Sequence, residues 1–308
     1  MTSRECLIKN SQRDLQGVWE IQVTGNDLVV VGVDETPESL HAVEFAAVEA
    51  CMRGASLRIV HATSWPYLGA PVQRPPTGSD HDRVEVSNEA IFARAVDCAN
   101  AHLPESRLER RLVTGAPEHV LTAEAADGAL LVVGRRIGQV ARLRSTSVVS
   151  RVALAAVVPV IVVQGVSQPG ANIITGIGTD PNTQDGLRFG YEEARLRNVG
   201  MTAIHAWRTP VVAAHGVSGS IAPAGEQQNN AEAARFLAEQ LAGWTTEFPD
   251  IVVRRAVPEG SAVDALVQAS INAQMVVLGR PDGLTGSVLL RELIRRSLCP
   301  VAIAPTGP

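Results

Sequence analysis

The sequence contains the same domain-length pattern twice. Residues 30–34, an apolar run ending in Gly-Val-Asp, return 144 positions later as residues 174–178. Further along, Gly134 and Gly279 each follow an apolar run and lie 145 positions apart. A repeat of this length exceeds the roughly 20–50 residues of a solenoid unit. It predicts two copies of one domain in a chain of 308 residues, each large enough to bury its own core.

The repeat divides the chain into four segments: an N-terminal extension over residues 1–27, a first domain over 28–164, a linker over 165–171 and a second domain over 172–308. The linker is rich in Gly, Ser, Gln and Pro. The extension has no clear period, and whether it forms a tail or an added edge strand stays open.

Strand and helix patterns alternate in each copy. The strand runs are almost wholly apolar and rich in Val and Ile, which is typical of strands buried on both faces of a parallel sheet. In the first domain the predicted strands are 28–33, 56–62, 108–113, 129–133 and 157–163, and the predicted helices are 37–53, 80–102, 117–126 and 142–156. In the second domain the predicted strands are 172–177, 201–206, 251–257, 274–278 and 301–304, and the predicted helices are 183–198, 228–245, 262–273 and 288–297. The pattern predicts an α/β fold: in each domain, a five-stranded parallel sheet with helices on both faces.

Composition narrows the classes of function. The net charge is −5 with no run of five like charges, which argues against a nucleic-acid-binding surface. Lys9 is the sole lysine, so the phosphate loop GxxxxGK[ST] is excluded. No stretch of 18 apolar residues is present, and charged residues stand near the N-terminus where a signal peptide would be apolar. We therefore expect a cytoplasmic protein with no membrane partner.

Motifs for catalysis and metal binding are absent from the sequence. It contains no G-x-S-x-G, no H-E-x-x-H and no Cys or His residues at metal-ligand spacing. We therefore predict no catalytic residues, no metal site and no efficient catalysis.

Ligands of open α/β sheets bind beyond the carboxyl ends of the strands, at the switch point between the first and fourth strands. The first segment expected there is Val33, Asp34, Glu35 and Thr36. Asp34 can accept hydrogen bonds from an amine or hydroxyl of a ligand. It can equally cap the following helix, as Thr36 can, and the residues alone leave both roles open.

The second segment is the end of the next strand, where the backbone groups of Ala62 can contact a purine edge. The preceding residue, His61, recurs as His205 in the second copy. We expect a packing role for its imidazole.

The third segment runs from Gly134 to Val148, where a strand leads into a loop with glycines and arginines, and a hydroxyl cluster then opens a helix. Helix N-termini attract anions, and hydroxyl and guanidinium groups add donors. The predicted cofactor-binding residues of this segment are Gly134, Arg135, Gly138, Ser145, Thr146, Ser147 and Val148. The alternative is a solvated arginine-rich loop followed by an ordinary helix cap.

These residues resemble the universal stress proteins in their tandem two-domain form. The resemblance covers about residues 28–305 and rests on three stretches: Gly32-Val33-Asp34 with Ser39, the segment around Gly115, and the run from Pro159 to Val163. It implies flavodoxin-like (adenine nucleotide alpha hydrolase-like) domains that pair through their last strands, here as an intramolecular pseudo-dimer. It also implies a regulatory or sensing module in the stress response.

The resemblance further implies a cofactor. Nucleotide-binding members of the family carry an Asp after the first strand and a loop G-x2-G-x9-G-[ST], placed on the adenine and phosphates of ATP. Other members lack the loop and bind no ATP. We therefore expect ATP or another adenine nucleotide, with Mg²⁺ accompanying the phosphates.

Both copies depart from this loop. In the first, Ile137 replaces the second glycine and Thr146 the last, and a β-branched residue does not readily adopt the positive φ that glycine allows. In the second, Gly178 replaces the Asp, and only eight positions separate Gly279 from Ser287. We expect a partial nucleotide site in the first domain and a degenerate one in the second.

Two alternatives remain. One is a nucleotide-free interaction protein with both crevices degenerate. The other, an adenylating α/β enzyme, is disfavoured because no S-G-G-x-D-S loop is present. Protein partners, and whether the chain also forms a homodimer, stay open.

Overall fold

The fold is known from a computed structural model that describes residues 28–63, 78–135, 141–208 and 224–306. The chain divides into two compact units between Gln164 and Gly165. The first unit ends where the sequence places the end of the first domain, and the predicted linker belongs to the second unit.

The described part of the first unit alternates strands with helices. Its strands are β1 (Leu28–Gly32), β2 (Ser56–Thr63), β3 (Leu108–Thr114), β4 (Leu130–Gly134) and β5 (Val160–Val163). Its helices are α1 (Pro37–Arg53), α2 (Gly78–Asn100), α3 (Pro117–Glu124) and α4 (Ala141–Ala155), with a 3-10 turn at Glu105–Arg107.

The second unit repeats this order. Its strands are β6 (Ile173–Gly176), β7 (Met201–Ile204), β8 (Val253–Ala256), β9 (Met275–Gly279) and β10 (Val301–Ala304). Its helices are α5 (Thr183–Arg197), α6 (Ala224–Gln240), α7 (Trp244–Glu247), α8 (Ala262–Ala269) and α9 (Gly283–Arg296), with a 3-10 turn at Ser270–Asn272.

The strands of each unit are parallel. Their order is β3-β2-β1-β4-β5 in the first unit and β8-β7-β6-β9-β10 in the second. The first three strands of each unit are added toward one edge of the sheet and the last two toward the other, so the order reverses between β1 and β4, and between β6 and β9. These are the switch points at which crevices form. Helices α1 and α2 contact each other, as do α3 and α4, and both pairs contact the sheet.

Local sequence signals explain helix α1. Thr36 caps its first turn by accepting a hydrogen bond from the Ser39 amide, and Pro37 occupies the first position, where no intrahelical donor is needed. The helix ends at Gly54, which adopts a left-handed conformation with φ of 71°. The predicted bounds of this helix are confirmed.

Several predicted elements differ in their bounds from the structure, and three of these differences have a clear local cause. Helix α9 begins at Gly283 rather than residue 288, because Asp282 caps it there by accepting a hydrogen bond from the Gly283 amide. The helix predicted over 228–245 is two helices, with Gly243 in a positive-φ conformation between them. The fifth strand starts at Val160, after Pro159, which has no amide hydrogen to donate.

Within the residues that the structure describes, no helix is long and apolar enough to cross a membrane.

Candidate functional site

The crevice of the first unit is built where β1 and β4 end. The Val33 amide donates to the carbonyl oxygen of Val60 at 2.9 Å, which extends the strand pairing past Gly32. The next residue, Asp34, leaves the sheet and is partly exposed. It therefore stands at the edge where the sequence places a ligand.

Asp34 is held in place by a compact hydrogen-bond network. Its Oδ1 accepts from the Thr36 amide at 2.8 Å and from the Thr36 hydroxyl. The Ser39 hydroxyl donates to the Asp34 carbonyl oxygen at 2.9 Å, and Ser39 Oγ lies 3.1 Å from the Asp34 amide nitrogen. Thr36, not Asp34, accepts from the first turn of α1. The carboxylate is thus oriented by a short turn rather than used as the helix cap. The following residue, Glu35, is exposed.

His61 has a packing role, as the sequence predicts. Its ring is buried, Nδ1 lies 2.8 Å from the Val33 carbonyl oxygen, and the ring meets Phe92 edge-on with centroids 6.3 Å apart. Ala62 follows it in β2 and is partly exposed beside the same edge.

Gly134 lets β4 approach the start of α1. A Cβ atom built on Gly134 would lie 2.5 Å from the Glu38 carbonyl oxygen, so no side chain fits there. Gly134 thus allows the backbones of β4 and α1 to approach each other closely.

Arg135 follows Gly134 at the end of β4. Its amide continues the strand pairing by donating to the Val163 carbonyl oxygen at 3.0 Å, and its guanidinium lies 3.5 Å from the Gln164 side-chain amide oxygen.

The structure describes only part of the remaining predicted loop, residues 136–148. Gly138 and Ile137 lie outside the described residues. Helix α4 begins at Ala141, so Ser145, Thr146 and Ser147 fall in its second turn rather than at its N-terminus. The prediction that this hydroxyl cluster opens the helix is therefore wrong. The backbone of these three residues belongs to α4, and their side chains are not among those that the structure describes. Val148, the next residue of the helix, is partly buried.

The second unit reproduces this frame without the carboxylate. Gly178 occupies the position equivalent to Asp34, and the Thr183 hydroxyl donates to its carbonyl oxygen at 3.1 Å, as Ser39 does in the first unit. His205 repeats His61, with Nδ1 2.9 Å from the Ile177 carbonyl oxygen.

The second unit contains a cavity of about 250 Å³ at its switch point. Its walls come from the ends of β6, β7 and β9, from the start of α5 and from helices α8 and α9. The lining residues are Gly176, Ile177, Gly178, Thr179, Asp180, Thr183, Ile204, His205, Ala206, Ala262, Leu266, Leu278, Gly279, Arg280, Pro281, Gly286 and Leu289. Sequence reasoning missed this cavity, because it judged the second copy by its lost nucleotide motif.

Arg280 is among the residues that line this cavity. Partial burial lowers the pKa of Arg280 by removing water from the charged group. Its backbone is fixed by Asn182, whose side-chain amide donates to the Arg280 carbonyl oxygen at 2.9 Å. The three residues 280–282 separate β9 from α9, so the backbone of Arg280 lies close to both.

The described parts of the chain contain no group of three or more His, Cys, Asp or Glu side chains that could hold a metal ion.

Comparison with known families gives two matches along the chain. The model of the universal stress protein family matches residues 25–164 and again residues 171–305. Together the matches cover most of the chain and follow the two units of the structure.

Proteins of this family resemble the chain along most of its length. A universal stress protein of Mycobacterium tuberculosis is 32% identical over 275 residues, a match that covers 85% of this chain and 90% of that protein. A second one from the same bacterium is 29% identical over 263 residues, covering 82% and 85% of the two chains. The crystal structure of a universal stress protein from Archaeoglobus fulgidus superposes with a TM-score of 0.66 at 14% identity, covering 92% of this chain and 97% of that one. At that identity the likeness shows the fold alone.

Proposed function

The chain belongs to the universal stress protein family. From that membership we propose that it is a regulatory or sensing module of the stress response, whose first domain binds an adenine nucleotide and which carries out no efficient catalysis. The observation that supports binding in the first domain is the fixed carboxylate of Asp34 at the switch point of its sheet.

The carboxylate of Asp34 is held in a fixed orientation, which suits an adenine ring better than a carboxylate on an unrestrained loop would. Its Oδ1 is oriented by the Thr36 amide and hydroxyl, so little side-chain freedom is lost when a ligand arrives. A carboxylate only accepts hydrogen bonds, and the exocyclic amine of adenine is a donor. The backbone groups of Val33 and Ala62 lie beside it, at the ends of the two neighbouring strands.

The phosphates would lie toward β4 and α4. Arg135 supplies charge at the end of β4, and the hydroxyls of Ser145, Thr146 and Ser147 are the proposed donors from the second turn of α4. Mg²⁺ would bind through the phosphates, since the described residues offer no metal-binding cluster of their own.

A nucleotide-free interaction protein is the second candidate. It is favoured by the same network, because Thr36 already donates twice to Asp34 Oδ1. It is also favoured by Ile137, which stands where the family loop has its second glycine.

Calorimetric titration of ATP, ADP and AMP, each with and without Mg²⁺, separates the two candidates. We expect one nucleotide per chain, and a loss of roughly 10-fold or more in affinity for Asp34→Ala, in line with the cost of a charge-assisted hydrogen bond. Ser147→Ala should weaken ATP more than AMP. Asp97→Ala, at an exposed position of α2, is the matched control and should bind as the unaltered chain does.

No heat with any nucleotide would favour the interaction protein. Binding that survives both Asp34→Ala and Ser147→Ala would place the site elsewhere. Phosphate release from ATP, followed over hours, tests the absence of efficient catalysis.

The association of the two domains as an intramolecular pseudo-dimer, a homodimer of the whole chain and a cytoplasmic location stay predictions. Light scattering of the purified chain measures its mass and distinguishes monomer from dimer.

A further inference from the structure

The cavity of the second unit has the size and walls of a small-ligand site. Its volume of about 250 Å³ lies just below the ~300–1,000 Å³ of pockets that hold drug-sized ligands, which favours a ligand with one ring. Apolar side chains form much of the wall: Ile177, Ile204, Leu266, Leu278 and Leu289. Such walls favour a ligand whose main part is apolar.

One end of the cavity favours negative charge. Arg280 lines the cavity and is partly buried. An anion that pairs with its guanidinium there meets less competition from water than one at a fully exposed arginine. Helix α9 starts at Gly283, three residues after Arg280, and its residue Gly286 also lines the wall. The first turn of a helix of 14 residues, which carries its positive end, thus contributes to the cavity wall.

The surroundings limit how much negative charge is accepted. Asp180 also lines the cavity and is exposed, and Asp282, which follows the lining residue Pro281, already accepts from the first amide of α9. Both repel a ligand of high charge. The loop 280–282 is also too short to surround a phosphate chain, whereas residues 135–140 separate the equivalent elements of the first unit.

We propose that this cavity binds a monocarboxylate whose apolar body is about one ring in size, with the carboxylate paired to Arg280. A planar guanidinium presents two parallel donors that match the two oxygens of a carboxylate. A phosphate monoester carries close to two charges at neutral pH and meets Asp180 as well. The site is separate from the nucleotide site proposed for the first domain.

Calorimetry on the full chain with three probes tests this inference. Benzoate supplies the ring and one negative charge, benzamide supplies the same shape without charge, and phenyl phosphate supplies a higher charge. We expect benzoate to bind once per chain and at least ~10-fold more tightly than benzamide, the ratio that corresponds to a charge-assisted hydrogen bond. Phenyl phosphate should bind more weakly than benzoate.

Variants assign the site. Arg280→Gln should weaken benzoate by ~10-fold or more, and Arg280→Lys by a smaller factor, because lysine keeps the charge but not the planar pair of donors. Arg235→Gln, at an exposed arginine of α6, is the matched control and should leave benzoate affinity unchanged. Asp34→Ala should also leave it unchanged, which keeps this test independent of the nucleotide site.

Several results would overturn the inference. One is the absence of benzoate binding up to ~10 mM, the range of very weak affinities. Another is equal affinity for benzoate and benzamide, and a third is tighter binding of phenyl phosphate than of benzoate. Unchanged benzoate affinity in Arg280→Gln would also overturn it. If Arg280→Gln does not fold, Arg280→Lys decides, since an affinity equal to that of the unaltered chain contradicts bidentate pairing.

Discussion

The imidazole Nδ1 of His61 lies 2.8 Å from the carbonyl oxygen of Val33. Because a carbonyl oxygen only accepts, Nδ1 carries a proton, and this contact assigns the tautomer of the neutral ring. His205 and Ile177 repeat the relationship at 2.9 Å in the second domain. In each domain this contact links the carboxyl-terminal end of the second strand to the residue that follows the first strand. It therefore supports the edge of the sheet on which the crevice is built.

Replacing this histidine should destabilise the domain that contains it. His61→Ala removes the donor to Val33 and leaves a void beside Phe92, so we expect a loss of about 2–3 kcal/mol in the free energy of unfolding. Urea denaturation measures it. His119→Ala, at an exposed position of α3, is the control and should change stability by less than ~0.5 kcal/mol. Equal losses in the two variants would contradict a structural role for the His61 bond.

Much of the scaffold was predictable because its signals are local. Thr36, Pro37 and Gly54 mark both ends of α1, and the predicted and observed bounds agree. The apolar run at residues 301–304 likewise became strand β10 as predicted. The start of α9 was missed because the cap at Asp282 was not recognised, although an Asp before a helix is a known start signal.

The candidate site was less predictable, because it depends on contacts between segments far apart in the sequence. The sequence left open whether Asp34 serves a ligand or caps α1, and the structure assigns the cap to Thr36. The cavity of the second domain depends on how Leu266 and Leu278 pack over Gly176, which no motif encodes. Nothing in the lost nucleotide loop indicates that a cavity remains.

The glycine that ends the fourth strand of each domain should not tolerate replacement by alanine. A Cβ at Gly279 would lie 1.9 Å from the Asn182 carbonyl oxygen, and one at Gly134 would lie 2.5 Å from that of Glu38. Backbone must move in both cases, so we expect each substitution to cost at least ~1–3 kcal/mol in unfolding free energy. Gly178→Ala is the control, since its nearest neighbour would be 3.6 Å away, an ordinary contact. If Gly279→Ala and Gly178→Ala unfold alike in urea, close approach is not what Gly279 provides.

Tyr191 offers a substitution that should not destabilise. The residue is fully buried and stacks on Trp244 and Phe248, with ring centroids 5.4 and 5.0 Å apart. Its hydroxyl has no hydrogen-bond partner among the described residues. Tyr191→Phe keeps the stacking and removes a buried polar group, so we expect stability to be unchanged or to rise by up to ~1 kcal/mol. Tyr191→Ala should cost ~3–5 kcal/mol through the lost ring. A loss above ~1 kcal/mol in Tyr191→Phe would mean that the hydroxyl is bonded in solution.

The thiol of Cys299 should make the second domain sensitive to alkaline pH. Burial raises the pKa of Cys299 from 9.0 to about 11, while the Ser297 hydroxyl partly offsets this by hydrogen bonding. Between these two values the unfolded chain has released the thiol proton and the folded chain has kept it. The contribution of the neutral Cys299 thiol to the free energy of unfolding is therefore fully present below pH 9. It is lost as the pH rises toward 11, by at most ~3 kcal/mol for a shift of this size.

Cys299→Ala should remove this part of the pH dependence. Urea denaturation at pH 8 and again near pH 10.5 should show a smaller alkaline loss in the variant than in the unaltered chain, even if the variant starts from a lower stability. Cys98→Ala is the matched control: burial raises the pKa of that thiol as well, but Cys98 is only partly buried and should contribute less. Parallel pH curves for the unaltered chain and Cys299→Ala would show that the thiol ionises equally in the folded and unfolded states, and would contradict its burial.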